Sequence, residues 1–149
     1  MGTRSLTKVI ERCEDFQTKK KIASTICKEE VLTTMYRQYD GYLSGHGYEL
    51  AEWLDEFTMV NGIGLDEKRK IANGASCLAA QMFAHFKGGP GGIYLYSPDV
   101  TNVGEEYIYK IYVGAEILLK VYNTYEGSDP TFEGTPAEFL EMAETEQHA

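Results

Sequence analysis

The chemistry-bearing side chains of this sequence are densest in one stretch, Tyr36-Arg37-Gln38-Tyr39-Asp40-Gly41-Tyr42-Leu43-Ser44-Gly45-His46-Gly47. It brings a guanidinium, a carboxylate, a hydroxyl and an imidazole to a strand-to-turn-to-helix junction. Backbone N–H groups at a helix start, with glycines that let a ligand approach closely, favour an anion. Here those donors would come from Gly45, His46 and Gly47. His46 adds a titratable donor, and Arg37 or Arg4 a bidentate one. With Tyr39, Asp40 and Ser44 these residues make up the candidate ligand-binding set. The same residues also admit a purely structural reading. Gly41, Gly45 and Gly47 permit positive φ, Asp40 closes an Asx turn, and His46 decorates a helix start.

Other chemistries find less support. Asp40 and His46 could serve as orienter and general base, but Ser44 is the only nucleophile nearby, so no catalytic set is complete. Gly2-Thr3 at the head of a first strand resembles the start of some N-terminal-nucleophile hydrolases, where a freed Thr amine activates its own hydroxyl. That route would require removal of both Met1 and Gly2. The histidines His46, His85 and His148 have no i, i+3 or i, i+4 partner, so neither a metal nor a cofactor is expected. His85 reads as a packing residue beside the apolar stripe of a core helix. Lys87-Gly88-Gly89-Pro90-Gly91-Gly92 lacks the Gly-Lys-Ser/Thr ending of a phosphate loop and precedes a strand, which leaves it a mobile lid or connector.

The elements that must position the junction are readable from periodicity. Gly2–Glu11 and Val31–Asp40 alternate as strands, with Val31, Thr33, Met35, Arg37 and Tyr39 on one face of the second. A helix is expected over Tyr48–Phe57, where Leu50, Trp53, Leu54 and Phe57 recur at helical spacing. The strongest helix spans Gly74–Lys87, capped by Asn73 and stopped by Gly88. Three strands follow: one beginning at Ile93–Tyr96, then Glu105–Val113 and Ile117–Tyr125, the last two joined across Gly114-Ala115-Glu116. Thr131–Glu133 reads as a short edge strand. Thr135-Pro136-Ala137-Glu138 is a capping box that opens a last helix, fraying over residues 144–149. Residues 12–30 have no clean period and read as a loop or short helix; Asp66–Lys70 reads as at most one helical turn. The expectation is a single α+β domain over residues 1–149: an antiparallel sheet of about five strands against two or three helices, in the order β-β-α-α-β-β-β-α.

Composition bounds the function. The 149 residues carry 14 Lys+Arg against 23 Asp+Glu, a net charge of −9, which disfavours broad nucleic-acid or anionic-membrane binding. Apolar residues at 43% and charged residues at 25% are globular values, and no apolar run approaches a membrane span. Cys13, Cys27 and Cys77 are odd in number and unpatterned, so the chain reads as reduced and cytoplasmic. The 11 tyrosines lie almost wholly on strands and their exits, which suits half-buried sheet faces, an oligomer interface or a stacking site for a base.

Met1-Gly2-Thr3-Arg4-Ser5-Leu6-Thr7, followed by the Tyr36–Tyr42 and Ser44–Gly47 motifs, resembles a family of short phage and bacterial proteins. That family has more distant fungal relatives that also begin with a Gly-Thr-Arg strand. The resemblance continues through Met59–Gly64, Ala72–Gly74, Cys77–Gln81 and Phe132–Pro136, with residues 12–30 as an expanded loop; Leu43 stands where Pro would be expected. It implies a phage accessory protein and transfers no activity. The expected function is therefore non-catalytic: a homo-oligomeric binder of a small anionic metabolite, such as a nucleotide-type immune signal held in counter-defence. The alternative is an acidic inhibitor that engages a host protein, and a hydrolase of the N-terminal-nucleophile kind is third.

Overall fold

Alternating side chains along the predicted strands assemble into one sheet whose buried face carries the helices. The computed structural model of the chain describes residues 2–13, 29–60 and 70–147. The strands are β1 (Ser5–Glu11), β2 (Glu30–Arg37), β3 (Thr58–Val60), β4 (Ile71–Asn73), β5 (Ile93–Tyr96), β6 (Tyr107–Val113), β7 (Ile117–Asn123) and β8 (Phe132–Gly134). The helices are α1 (Tyr48–Asp55), α2 (Gly74–Phe86) and α3 (Pro136–Gln147). Six strands form the main sheet in the order β5-β2-β1-β6-β7-β8, while β3 and β4 pair in parallel as a separate two-stranded ribbon.

The chain is α+β as expected, but its main sheet is mixed rather than antiparallel. β1 pairs antiparallel with β2 and parallel with β6, Ser5 opposite Tyr107 through Glu11 opposite Val113. A parallel pair needs a long crossover, and the chain between β2 and β6 supplies it with α1, α2 and β5. That places β1 at the centre, where all its residues from Ser5 to Ile10 are buried. β3 and β4 were not anticipated, because each is three residues long. The helix α3 continues to Gln147 through the segment expected to fray. The expectations for residues 14–28 and 61–69 fall outside the described residues.

One face of the sheet supplies the core. Val9, Met35, Tyr109, Ile111, Leu119 and Val121 meet Leu50 and Leu54 of α1, Leu78 and Met82 of α2, and Phe139 of α3. The capping box forms as read: the Glu138 N–H donates to Thr135 Oγ1 at 3.2 Å, and Glu138 Oε1 accepts from the Thr135 N–H at 2.9 Å. Asn73 precedes α2 but makes no side-chain cap there. Cys13 is engaged in a disulfide and Cys77 is free. This corrects the expectation of a fully reduced chain, since an odd number of cysteines still permits one pair. The cytoplasmic assignment loses the observation on which it rested. No helix among the described residues is long and apolar enough to cross a membrane.

Candidate functional site

The junction between β2 and α1 is built around close backbone approach. Asp40 turns the chain with a left-handed φ of 62°, and Leu43–Gly47 then winds as a single π-helical turn into α1. The turn is closed by its own backbone: Gly45 N–H donates to the Tyr42 carbonyl (3.0 Å), His46 N–H to Asp40 (2.7 Å) and Gly47 N–H to Tyr42 (3.3 Å). The three donors that the sequence offered to an anion are thus engaged within the turn. Gly41 lies so near β1 that a Cβ there would stand 2.8 Å from Ser5 Cβ. At Gly47 a Cβ would stand 2.9 Å from Phe139 Cζ. The Tyr109 hydroxyl donates to the Gly41 carbonyl at 2.7 Å, fastening the turn to β6.

His46 is wholly buried, and both its ring nitrogens have partners. Arg37 Nη1 lies 3.0 Å from Nδ1, and Thr7 Oγ1 lies 2.8 Å from Nε2. A guanidinium only donates, so Nδ1 must be the acceptor and Nε2 must carry the proton, which it gives to Thr7. The ring is therefore neutral. Burial, reinforced by the Arg37 charge, lowers its pKa to about 3. Phe86 and Tyr109 pack edge-on against it, with centroids at 5.2 and 5.1 Å. With no free lone pair, His46 cannot serve as a general base in this arrangement; it ties β1, β2 and α1 together.

The remaining candidates separate. Arg37 is mostly buried and forms a 2.7 Å ion pair with Glu49, whose side chain is 54% exposed. Nη1 carries both described bonds, to His46 and to Glu49. Arg4 does not join it. Register opposes Arg37 to Ser5, and alternation sends the Arg4 side chain to the other face, beside Gly104. Tyr39 is half exposed, with its hydroxyl next to Gly92, while Asp40 and Ser44 face solvent.

Arg37 and Tyr39 open into a cleft of about 510 Å³ between α1, the end of α2 and the Gly88–Gly92 loop. Its aromatic wall is a Trp53–His85 stack (5.3 Å, 17°) with Phe86 edge-on to Trp53 at 5.9 Å. Its acidic wall is α1 with its C-cap: Glu49 on Arg37, the C-cap Glu56 on Lys70 at 2.5 Å, and Glu52 between them with no described partner. Lys87 Nζ donates to the carbonyls of Gly91 (3.0 Å) and Ile93 (2.7 Å), which ties the two ends of the glycine loop together beside the cleft. Sequence reasoning missed Trp53, Phe86 and the three glutamates as cleft residues. The i, i+3, i+7 spacing of Glu49, Glu52 and Glu56 was the available signal, since it lays all three along one helix face. His85 packs beside the apolar stripe as expected: it is itself exposed and stacks on the buried Trp53 ring.

Among the described residues, no three His, Cys, Asp or Glu side chains gather as a metal site. Comparison with protein-family models, with curated proteins and with solved structures returns no match, so the chemistry of the cleft stands on its own geometry.

Proposed function

We propose that this protein is a non-catalytic binder of a small anionic metabolite with a planar ring, held in the cleft between α1, the end of α2 and the glycine loop. The observation that carries the reading is the Arg37–Glu49 pair. Arg37 is oriented from behind by a buried neutral His46, so its guanidinium is preorganised, and the carboxylate now on it belongs to an exposed, tethered side chain. A ligand carboxylate or phosphate can take the place of Glu49 and gain bidentate geometry that a single Oε2 contact lacks. Glu52 and Glu56 keep the neighbouring wall negative, which limits the anionic part of the ligand to the Arg37 end. A planar ring finds stacking partners in Tyr39 and the Trp53–His85 pair.

The ligand is held rather than converted. His46 has both nitrogens engaged, and no Ser, Thr or Cys is among the described residues that line the cleft. In a phage accessory protein, the use we propose for such a cleft is sequestering a nucleotide-type signal of host immunity. A thermal-shift screen of cyclic nucleotides, ADP-ribose derivatives and inorganic phosphate tests this. A specific ligand at 100 times its Kd stabilises the fold by about 2.7 kcal/mol, which raises the melting temperature by several degrees. No shift with any of them would sink the reading.

A further inference from the structure

The strand registers place three lysines in one row. Lys8 of β1 is opposite Lys110 of β6, and Lys110 is opposite Lys120 of β7. All three project from the face turned away from the helices, because the alternate residues Val9, Ile111 and Leu119 fill the core. Like charges directly opposed on neighbouring strands destabilise a sheet, and this chain has carboxylates in excess with which to avoid them. Yet the row is not neutralised. Glu133 reaches Lys120 at 3.5 Å from the outer edge, while Lys110 meets no carboxylate among the described residues. Asp99 and Glu105 act on Lys8 from a distance, and burial and Lys110 push its pKa down.

The row also has a distinctive surround. Lys110 Nζ sits 4.9 Å from the Tyr122 ring centroid, and Lys120 Nζ 5.2 Å from that of Tyr112. Lys8 is buried with Nζ donating to Thr34 Oγ1 (2.9 Å) and to the carbonyls of Pro98 (2.7 Å) and Val100 (2.8 Å), so its charge is fixed in place. A recess of about 380 Å³, bordered by Tyr112, Leu118 and Lys120 together with Arg12 and the carboxylates of Glu29 and Glu133, opens at the outer end of the row.

We propose that the Lys8–Lys110–Lys120 row is an anion site distinct from the Arg37 cleft, built for a ring-bearing oligophosphate of the nucleoside diphosphate type. Adjacent phosphates bridge Lys110 and Lys120, with Lys8 as a fixed positive charge behind them. Drawing the ammonium groups onto phosphate uncovers the faces of Tyr112 and Tyr122, one of which receives the base. The opposed lysines of the free protein are the stability cost of that site.

Titration of the full chain with ADP at low ionic strength, followed by NMR of the tyrosine rings, tests the proposal. ADP should shift the Tyr112 and Tyr122 signals, pyrophosphate should shift them more weakly, and adenosine should not. Lys110→Gln and Lys120→Gln should each weaken the response at least tenfold, and Lys110→Gln should raise the melting temperature of the free protein. Because the readout is local to these rings, binding at the Arg37 cleft neither mimics nor masks it. Undisturbed Tyr112 and Tyr122 signals in wild-type protein would overturn the proposal. So would an undiminished response in Lys110→Gln, or a lower melting temperature for that variant, which would make the lysine part of the sheet's own stabilisation.

Discussion

Arg37 Nη1 donates to His46 Nδ1 across 3.0 Å, and this one bond settles the protonation of a buried imidazole. The guanidinium cannot accept, so the proton resides on Nε2 and is directed at Thr7. A histidine that looks from the sequence like a titratable ligand donor becomes the fixed back wall of the Arg37 site.

The first expectation concerns pH. An unfolded His titrates near 6.5, while His46 in the fold stays neutral down to about 3. Between those values the unfolded chain binds a proton that the native state does not, so stability is full above pH 6.5 and declines as pH falls toward 3. By pH 5 the loss from this residue is about 2 kcal/mol, at 1.36 kcal/mol per unit. Urea unfolding at pH 7.5 and pH 5 measures it, and His46→Gln should flatten the difference. A ring that titrates near 6.5 in NMR of the native protein would refute the bonding scheme.

Thr7 is the acceptor that completes that scheme. Thr7→Val keeps the shape but leaves the buried Nε2–H without a partner, at a cost of about 1–3 kcal/mol, whereas Thr7→Ser should retain most of the stability. Chemical denaturation of the two variants separates hydrogen bonding from packing, since Ser loses the methyl and Val loses the hydroxyl.

The turn that carries His46 is equally dependent on Tyr109. Tyr109→Phe removes the hydroxyl from the Gly41 carbonyl and should destabilise by about 1–3 kcal/mol. Gly47→Ala places a methyl against Phe139 and Tyr109 and should cost about as much through overpacking. Because both act on one turn, their effects should fall short of adding in the double variant. Full additivity would show that the turn is not a unit.

Much of the fold was legible because its signals are local. The start of β5 is readable from Ile93-Tyr94-Leu95-Tyr96, and the Thr135–Glu138 box from four residues. The parallel pairing of β1 with β6 was not, since register between strands some 100 residues apart leaves no mark in either. β3 and β4 are too short for a period. Arg37 and Tyr39, singled out in the sequence by their company of turn glycines, both line the cleft. The bond from His46 to Thr7 spans 39 positions, and without it the histidine passes for a free donor. Trp53 and Phe86 pack in and against the core as their helix spacing indicates, and that spacing leaves no mark of the cleft they also border.

In the proposed binding mode, a ligand anion takes the place of Glu49 on Arg37. Isothermal titration of the ligand found by thermal shift, into wild-type protein and Glu49→Gln, tests it directly. Glu49 is exposed and outside the core, so the variant should fold normally while freeing the guanidinium. The expected result is at least a fivefold gain in affinity for Glu49→Gln, with a steeper dependence on salt. Equal or weaker binding by that variant would contradict the account.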